Sequence, residues 1–376
     1  MQHLLGVGHV QRALQLARAL AKRGFDVELV SGGTPQATTA DCGIGVHQLP
    51  PLYSADGSFT RLLDEDGREI DDRWRDRRRR QLLALFEDFA PQALVTETFP
   101  FGRRMLRFEL IPLLEASRSS DHCRLVIASI RDILQPRSKP GREQETCELI
   151  EKYYDHVLVH GDASIARLDL SFSAVERIRD RIHYTGYLCR AGTSSADPSA
   201  GRDEVLVSAG GSATGLEILQ TAIEAKPISE LDSLHWRLLV SPAISAADFD
   251  ALRRRAGADI TVERNRPDFS DLVKRARLSI SQAGYNTMTD ILNSHTACVV
   301  IPYAEADEIE QTLRARALEA RGRLVALEQD KLSAVALAGA IKRALARNTP
   351  LDVDLNGADN SAAMISRWLD ATRPGA

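Results

Sequence analysis

Short apolar, β-branched runs alternate with longer helical patterns from one end of this chain to the other, and that alternation confines it to a parallel α/β architecture. The runs lie at residues 27–31, 93–96, 124–129, 156–160 and 182–187 in the first half, and at 205–208, 236–241, 260–263, 278–281 and 298–302 in the second. Each is too short for a buried helix. Residues 191–201, which are small and polar and contain Pro198, read as a linker. A chain of 376 residues has length for two cores, because single domains usually run to about 100–200 residues. The expectation is two nucleotide-binding-type α/β domains, 1–190 and 202–376, facing one cleft, with the last helix returning to pack on the first domain.

Composition removes several classes of function. A net charge of −4 argues against a nucleic-acid partner, which selects a clustered basic excess. No apolar stretch reaches the roughly 18 residues of a bilayer span, and the start has no signal-peptide core, so a cytoplasmic location is expected. Cys42, Cys123, Cys147, Cys189 and Cys298 are scattered and never spaced as CxxC, which suits buried thiols. The nine histidines form no HExxH-type pair, so no protein-bound metal is expected.

Glycine turns carry the chemistry. Gly6, Val7, Gly8 and His9, followed by Arg12, open a helical pattern over 10–23 that places Val10, Leu14, Ala17 and Leu20 on one face. This is not the GxGxxG of dinucleotide enzymes. Only Met1 to Leu5 stand where the preceding strand belongs, and a buried parallel strand needs about five or six apolar residues, so the first strand reads as truncated and the natural start is expected upstream.

Downstream, the run 205–208 ends in Ala209, Gly210, Gly211 and Ser212, small and hydroxylic groups that suit either an anion at a helix start or plain tight packing. After 278–281 come Gln282, Ala283, Gly284, Tyr285, Asn286 and Thr287. Gly284 lets the backbone approach a diphosphate, Asn286 and Thr287 can donate to its oxygens, and Asp290 can bind ribose hydroxyls. The loop from Pro302 to Glu310 and Gln311 can reach the attached sugar.

The order of a glycine turn with His9, a linker, a strand leading to Gly210 and Gly211, the 283–287 turn and the Pro302 loop resembles the GT-B nucleotide-sugar glycosyltransferases. Within them it is most similar to the branch of the peptidoglycan N-acetylglucosaminyltransferase that completes lipid II, and to a related bacterial group. The resemblance covers most of the chain. It implies a GT-B fold, two Rossmann-like domains with parallel sheets around an interdomain cleft, and transfer of a sugar from a nucleotide-diphosphate donor, UDP-linked by preference, without a further cofactor.

On this resemblance Gly284 to Thr287 hold the diphosphate, Asp290 replaces a ribose-binding glutamate, Gln311 contacts the transferred sugar with Glu310 beside it, and the loop containing Arg266 borders the base. Arg264 and Arg266 stand where the lipid II enzyme has a more apolar and acidic loop. Gly6, Gly8, His9 and Arg12 fall on the acceptor side, with His9 a general base or phosphate contact and Glu97 the alternative base. Structural hydrogen bonding is the competing role for His9. Phe99, Phe101, Arg103 and Arg131 would shape the acceptor pocket, although Arg131 and Asp132 equally suit a structural ion pair.

The acceptor would be a glycan, lipid-linked or small-molecule hydroxyl, attacked in one inverting displacement. A nucleotide-sugar hydrolase, a 2-epimerase and a non-catalytic nucleotide-sugar sensor remain as alternatives. Arg73, Arg75, Arg77, Arg78, Arg79 and Arg80 read first as a solvated helix face. Their second reading is attraction to anionic lipid or a pyrophosphate-bearing acceptor, with peripheral membrane association.

Overall fold

A computed structural model describes residues 8–35, 44–54, 61–135, 141–189, 199–210, 215–304 and 308–372. The proposed first strand at Met1 to Leu5, Gly6, the linker at 191–198, Gly211 and Ser212 lie outside them. The chain forms two compact units, Met1–Ala163 with Arg167–Leu188 and Asn356–Ala376, and Ser164–Ala166 with Cys189–Leu355.

The first unit opens with α1 (Gly8–Lys22), β1 (Glu28–Ser31), β2 (Gly45–Gln48), β3 (Tyr53–Ser54), β4 (Leu62–Leu63) and α2 (Asp72–Phe89). It continues through β5 (Ala93–Glu97), α3 (Arg107–Ser119), β6 (Leu125–Arg131), α4 (Arg142–Tyr153), β7 (His156–His160) and β8 (Ile182–Tyr184). Strands β5, β6, β7 and β8 form a parallel four-stranded sheet in that order, and β1 pairs with β2, also in parallel.

Alternation along β6 divides the core between two faces. Val126, Ala128 and Ile130 join Phe86, Leu113, Leu114 and Ile150 on one of them. Leu125 and Ile127 meet Leu16 of α1 on the other, together with Ile365 and Leu369 of the chain's last helix.

The second unit holds β9 (Val205–Ser208), α5 (Leu216–Ala225), β10 (Trp236–Val240), α6 (Ala246–Arg255), β11 (Ile260–Arg264), α7 (Phe269–Arg275) and β12 (Leu278–Ser281). Then come α8 (Tyr285–Leu292), β13 (Ala297–Val300), α9 (Glu310–Glu319), β14 (Val325–Ala326) and α10 (Ala334–Ala346). Its parallel sheet has the order β11-β10-β9-β12-β13-β14, so the winding direction reverses between β9 and β12. Such a reversal opens a crevice at the carboxyl ends of the two central strands, where α/β sheets take ligands.

The last helix, α11 (Gly357–Ala371), belongs to the first unit. Gly357 N donates to Tyr187 O at 3.0 Å. A Cβ on Gly357 would lie 2.4 Å from Gly186 O, so only glycine allows this approach.

The parallel α/β class matches the expectation from the apolar runs. Strands β2, β3, β4 and β14 were not anticipated, because β3, β4 and β14 have two residues each and β2, Gly45–Gln48, is no apolar run. The Cys298 run is consequently not the last strand. The arginine-rich stretch is a solvent-facing surface, as expected, except at Arg78. Asp71 caps α2 by accepting from Trp74 N at 2.7 Å. Arg78, one turn on, is buried and gives Glu109 two hydrogen bonds, of 2.6 and 3.1 Å. Arg75 pairs with Asp72, and Arg79 and Arg80 both pair with Asp76. Gly357→Ala should destabilise the first unit by about 1–3 kcal/mol through overpacking, measured as a lowered urea midpoint with the second unit's transition unchanged.

Candidate functional site

In the second unit Ser208 and Ser281 are register partners on adjacent parallel strands, so both chains leave the sheet side by side. Gly210 has φ +75° and sits against Gln282, whose Oε1 would be 3.1 Å from an added Cβ. Asn265 Nδ2 donates to Gly210 O at 3.0 Å, tying in the loop after β11. A Cβ on Gly215 would collide with Ala209 at 1.9 Å, which explains that glycine by packing alone.

Gly284 has no such explanation within the fold. It caps α8 with φ −64° and ψ 147°, a conformation open to any residue, and makes no side-chain cap. Among the described residues, a Cβ there would meet no heavy atom within 4 Å. The first turn of α8 thus carries backbone N–H groups and a positive helix end at the point where the sheet reverses.

Arg314, which sequence reasoning missed, secures this turn from beneath. It is buried, donates to Ala283 O at 3.1 Å and to Glu310 at 2.7 Å, and stands over the Tyr285 ring at 5.7 Å. Glu310, expected beside a sugar, is instead buried at 3% exposure as the partner of Arg314. The i,i+4 spacing on α9 accounts for this inward pairing. Gln311 Oε1 accepts from Tyr303 N at 3.2 Å, which holds the Pro302 loop.

Asn286 and Thr287 are half-buried on the first turn of α8, whereas Tyr285 and Asp290 are buried. Burial and the charge of Asp290 push the Cys189 thiol up to about 12. Arg266 is held by Asp268 through bonds of 2.9 and 2.7 Å. Arg264 donates to Ser241 O and Ile244 O and lies 4.2 Å over Phe249, so it builds the loop.

The first unit gathers a second cluster at the carboxyl edge of its sheet. One helical turn separates His9 from Arg12 on α1, and both reach Glu97 at the end of β5. Arg12 Nη2 lies 2.5 Å from Glu97 Oε1 and 2.7 Å from His9 Nδ1, while His9 Nδ1 is 3.1 Å from the same carboxylate oxygen. Thr98 Oγ1 approaches Nδ1 at 3.2 Å from a backbone with φ 72°, a left-handed conformation uncommon outside glycine.

Glu97 and Ser129 are register partners, as are Arg131 and His160. Ser129 Oγ consequently donates to Glu97 Oε2 at 2.8 Å, and lies 2.9 Å from His160 Nε2. His160 Nδ1 in turn sits 2.9 Å from Thr185 Oγ1. His160 and Thr185 were not selected from sequence, although each lies at or near the end of an expected strand.

Electrostatics order this cluster. Burial alone would raise the Glu97 carboxyl, but Arg12 and the bond from His9 outweigh it and hold the group well below the usual carboxylate range. Burial, then the Arg12 charge, lowers His9 to about 3 and keeps its imidazole neutral. Nδ1 cannot both accept from Arg12 and donate to Glu97. The Nδ1–H tautomer, donating to Glu97, is the one that leaves Nε2 with a lone pair able to take a proton.

Arg103 is brought down to about 10 by burial and then by Arg131, with Glu97 opposing, so both cations belong to this neighbourhood. Phe99 and Phe101 do not line an acceptor pocket. They are 1% and 4% exposed, and Phe101 packs edge-on to Phe172 at 5.2 Å, because the chain after β5 turns back into the core. Gly8 is the first residue of α1.

These histidines set a pH dependence. His160 is lowered to about 4, chiefly by burial. A histidine that resists protonation only when folded stabilises the protein above its unfolded pKa of about 6.5, and that stability drains away as pH falls toward the folded value. Unfolding free energy should drop between pH 7 and pH 5, and His160→Asn should remove on the order of 2 kcal/mol of that drop, read from urea titrations at the two pH values.

Residues 205–363 match the model of the glycosyltransferase family 28 C-terminal domain. UDP-N-acetylglucosamine--N-acetylmuramyl-(pentapeptide) pyrophosphoryl-undecaprenol N-acetylglucosamine transferases are among the curated relatives. That of Paramagnetospirillum magneticum is 27% identical over 46% of this chain and 50% of its own length. That of Syntrophotalea carbinolica is 30% identical over 51% of this chain and 54% of its own. The chain thus spans about half the length of the curated relatives it matches.

Solved structures extend the likeness in fold to nearly the whole chain. The calicheamicin glycosyltransferase superposes with a TM-score of 0.63 at 15% identity, covering 99% of this chain and 98% of that one. Acinetobacter baumannii MurG gives a TM-score of 0.58 at 15% identity, covering 98% of each. A spinosyn rhamnosyltransferase complexed with thymidine diphosphate gives 0.61 at 17% identity, covering 96% and 93%. The chain has the GT-B fold, and residues 205–363 within it match the glycosyltransferase family 28 C-terminal domain.

Proposed function

We propose that this protein is a glycosyltransferase that moves a sugar from a nucleoside-diphosphate donor to an acceptor hydroxyl. Gly284 carries the reading. Its backbone does not require glycine, its missing Cβ would touch no atom of the described residues, and it heads a helix at the sheet's reversal point. A diphosphate is the ligand that such a turn suits, since amides and helix dipole both favour its charge. Gly210, Gly211 and Ser212 would border the same diphosphate, with Asn286 and Thr287 on its other side. Gln311 toward the sugar and Arg266 toward the base complete the donor assignment, and Asp290, 2% exposed, is left without the ribose contact expected of it.

A uridine donor is the first choice, because the curated relatives are named for UDP-N-acetylglucosamine. Their names also describe a lipid-linked pyrophosphoryl acceptor, so a polyprenyl-linked glycan of the cell envelope leads the acceptor classes. Among the described residues no helix is long and apolar enough to cross a membrane. Contact with such an acceptor would then be peripheral, from the cytoplasmic side.

In the reaction, the acceptor oxygen attacks the anomeric carbon as the bond from that carbon to the diphosphate breaks, and the electron pair leaves on the diphosphate. His9 Nε2 takes the acceptor proton, and Glu97 stabilises the imidazolium that results. Arg12 fixes the carboxylate, and Arg103 and Arg131 favour an anionic acceptor. One displacement inverts the anomeric centre. The amides of α8 oppose the developing negative charge and are worth most when fixed in advance, so the step as proposed runs without a metal.

Gly284→Ala should cost at most about 1 kcal/mol of stability yet weaken UDP binding by about tenfold or more, which is roughly 1.4 kcal/mol. Calorimetric titration with UDP reads this, and unchanged affinity would defeat the donor assignment. His9→Ala and Glu97→Gln should each slow transfer by about 10²-fold or more while UDP-dependent thermal stabilisation persists. UDP release that is unaffected by every acceptor offered would identify a hydrolase instead.

A further inference from the structure

One group from each strand of the first unit's parallel sheet enters a single hydrogen-bonded row that starts at Glu97 and runs away from His9. Glu97 closes β5, Ser129 stands beside it on β6, His160 closes β7, and Thr185 directly follows β8. Ser129, His160 and Thr185 are all buried. Asn360 of α11 donates to Thr185 O at 2.9 Å and fixes that end of the row. At the other end Glu97 Oε1 takes Arg12, His9 and Thr98, and Ser129 is the donor that reaches Oε2 among the described residues.

Burial keeps His160 neutral, and a neutral imidazole offers one donor and one acceptor. Two proton arrangements then fit the row. In the first, Ser129 Oγ–H donates to Glu97 Oε2 and accepts from His160 Nε2–H, while His160 Nδ1 accepts from Thr185 Oγ1–H. In the second, Ser129 turns its proton to His160 Nε2, the ring donates from Nδ1 to Thr185, and Thr185 donates to Gly186 O at 2.9 Å. Charge decides between them. A hydrogen bond to an ionised acceptor is roughly twice as strong as one between neutral groups, and the second arrangement would strip the Oε2 of a buried carboxylate of its donor. The first arrangement therefore holds.

We propose that His160 is a positioning residue for glycosyl transfer: by donating to Ser129 it commits the serine proton to Glu97 and turns the other carboxylate oxygen to His9. Thr185 holds the ring in the tautomer that this requires. A carboxylate fixed in this way stabilises the His9 imidazolium without having to reorient when the proton arrives. The inference rests on the assignment of His9 as base and Glu97 as its partner.

Nitrogen NMR of the histidine rings at neutral pH reads the tautomers. His160 should carry its proton on Nε2, and Ser129→Ala should move that proton to Nδ1, where Thr185 accepts it. A proton on Nδ1 of His160 in the unaltered chain would overturn the proposal. The rate is read as UDP release from UDP-N-acetylglucosamine offered with an undecaprenyl-diphosphate-linked N-acetylmuramyl peptide. Ser129→Ala and His160→Leu should each lower kcat by about tenfold or more with the KM for the donor unchanged, and the double variant should be no slower than either alone. His160→Gln, which keeps a donor toward Ser129, should recover most of the rate. Additive losses would overturn the proposal, as would wild-type rates in both single variants when His9→Ala is slow. A wild-type rate in His9→Ala would instead bring down the base assignment, and this inference with it.

Discussion

Parallel pairing is the constraint on which this protein is built. Strands that run the same way release the chain at the same edge of the sheet, and the turns after Ser208 and Ser281 and the cluster around Glu97 lie at such edges. The pairing of Ser208 with Ser281 makes neighbours of two turns that are 73 residues apart, 281 minus 208. Pairing Glu97 with Ser129, and Arg131 with His160, builds the hydrogen-bonded chain of the first unit in the same manner. A one-residue slip would send each of these side chains to the opposite face.

Buried arginines turn those edges into defined sites. Arg12 holds Glu97, Arg78 holds Glu109, and Arg314 holds Glu310 while reaching the carbonyl of Ala283. Arg323 donates to the carbonyls of Thr296 and Ser294 at the end of α8 and the start of β13. Guanidinium suits this work because its rigid fork satisfies several acceptors at once and stays charged when buried. Removing one partner of such a pair costs about 3–5 kcal/mol, because the other charge is left alone. An arginine run judged by composition alone therefore conceals its most structural member, Arg78.

The turns were legible because glycine and strand endings leave local marks. His9, Arg12 and Glu97 could be singled out for the same reason. Their meeting point on one carboxylate oxygen could not, since 88 residues separate His9 from Glu97. Phe99 and Phe101 show the opposite error. Following a strand end by only a few positions made them candidates for the acceptor side, but the backbone doubles back after Thr98 and delivers both rings to the core. Glu310 was assigned outward by its place in a loop, whereas helix geometry turns it toward Arg314.

What the sequence determined by itself is the α/β class, most of the strands and the identity of the glycine turns. These follow from periodicity and from backbone freedom, which are properties of neighbouring residues. Tertiary structure alone decided the strand order β11-β10-β9-β12-β13-β14, and with it the placement of Gly284 at the reversal. It also decided that His160 and Thr185 extend the Glu97 cluster. The reason is physical: long-range pairing is selected by the fit of whole faces and by the satisfaction of buried polar groups, and no local stretch of chain encodes either.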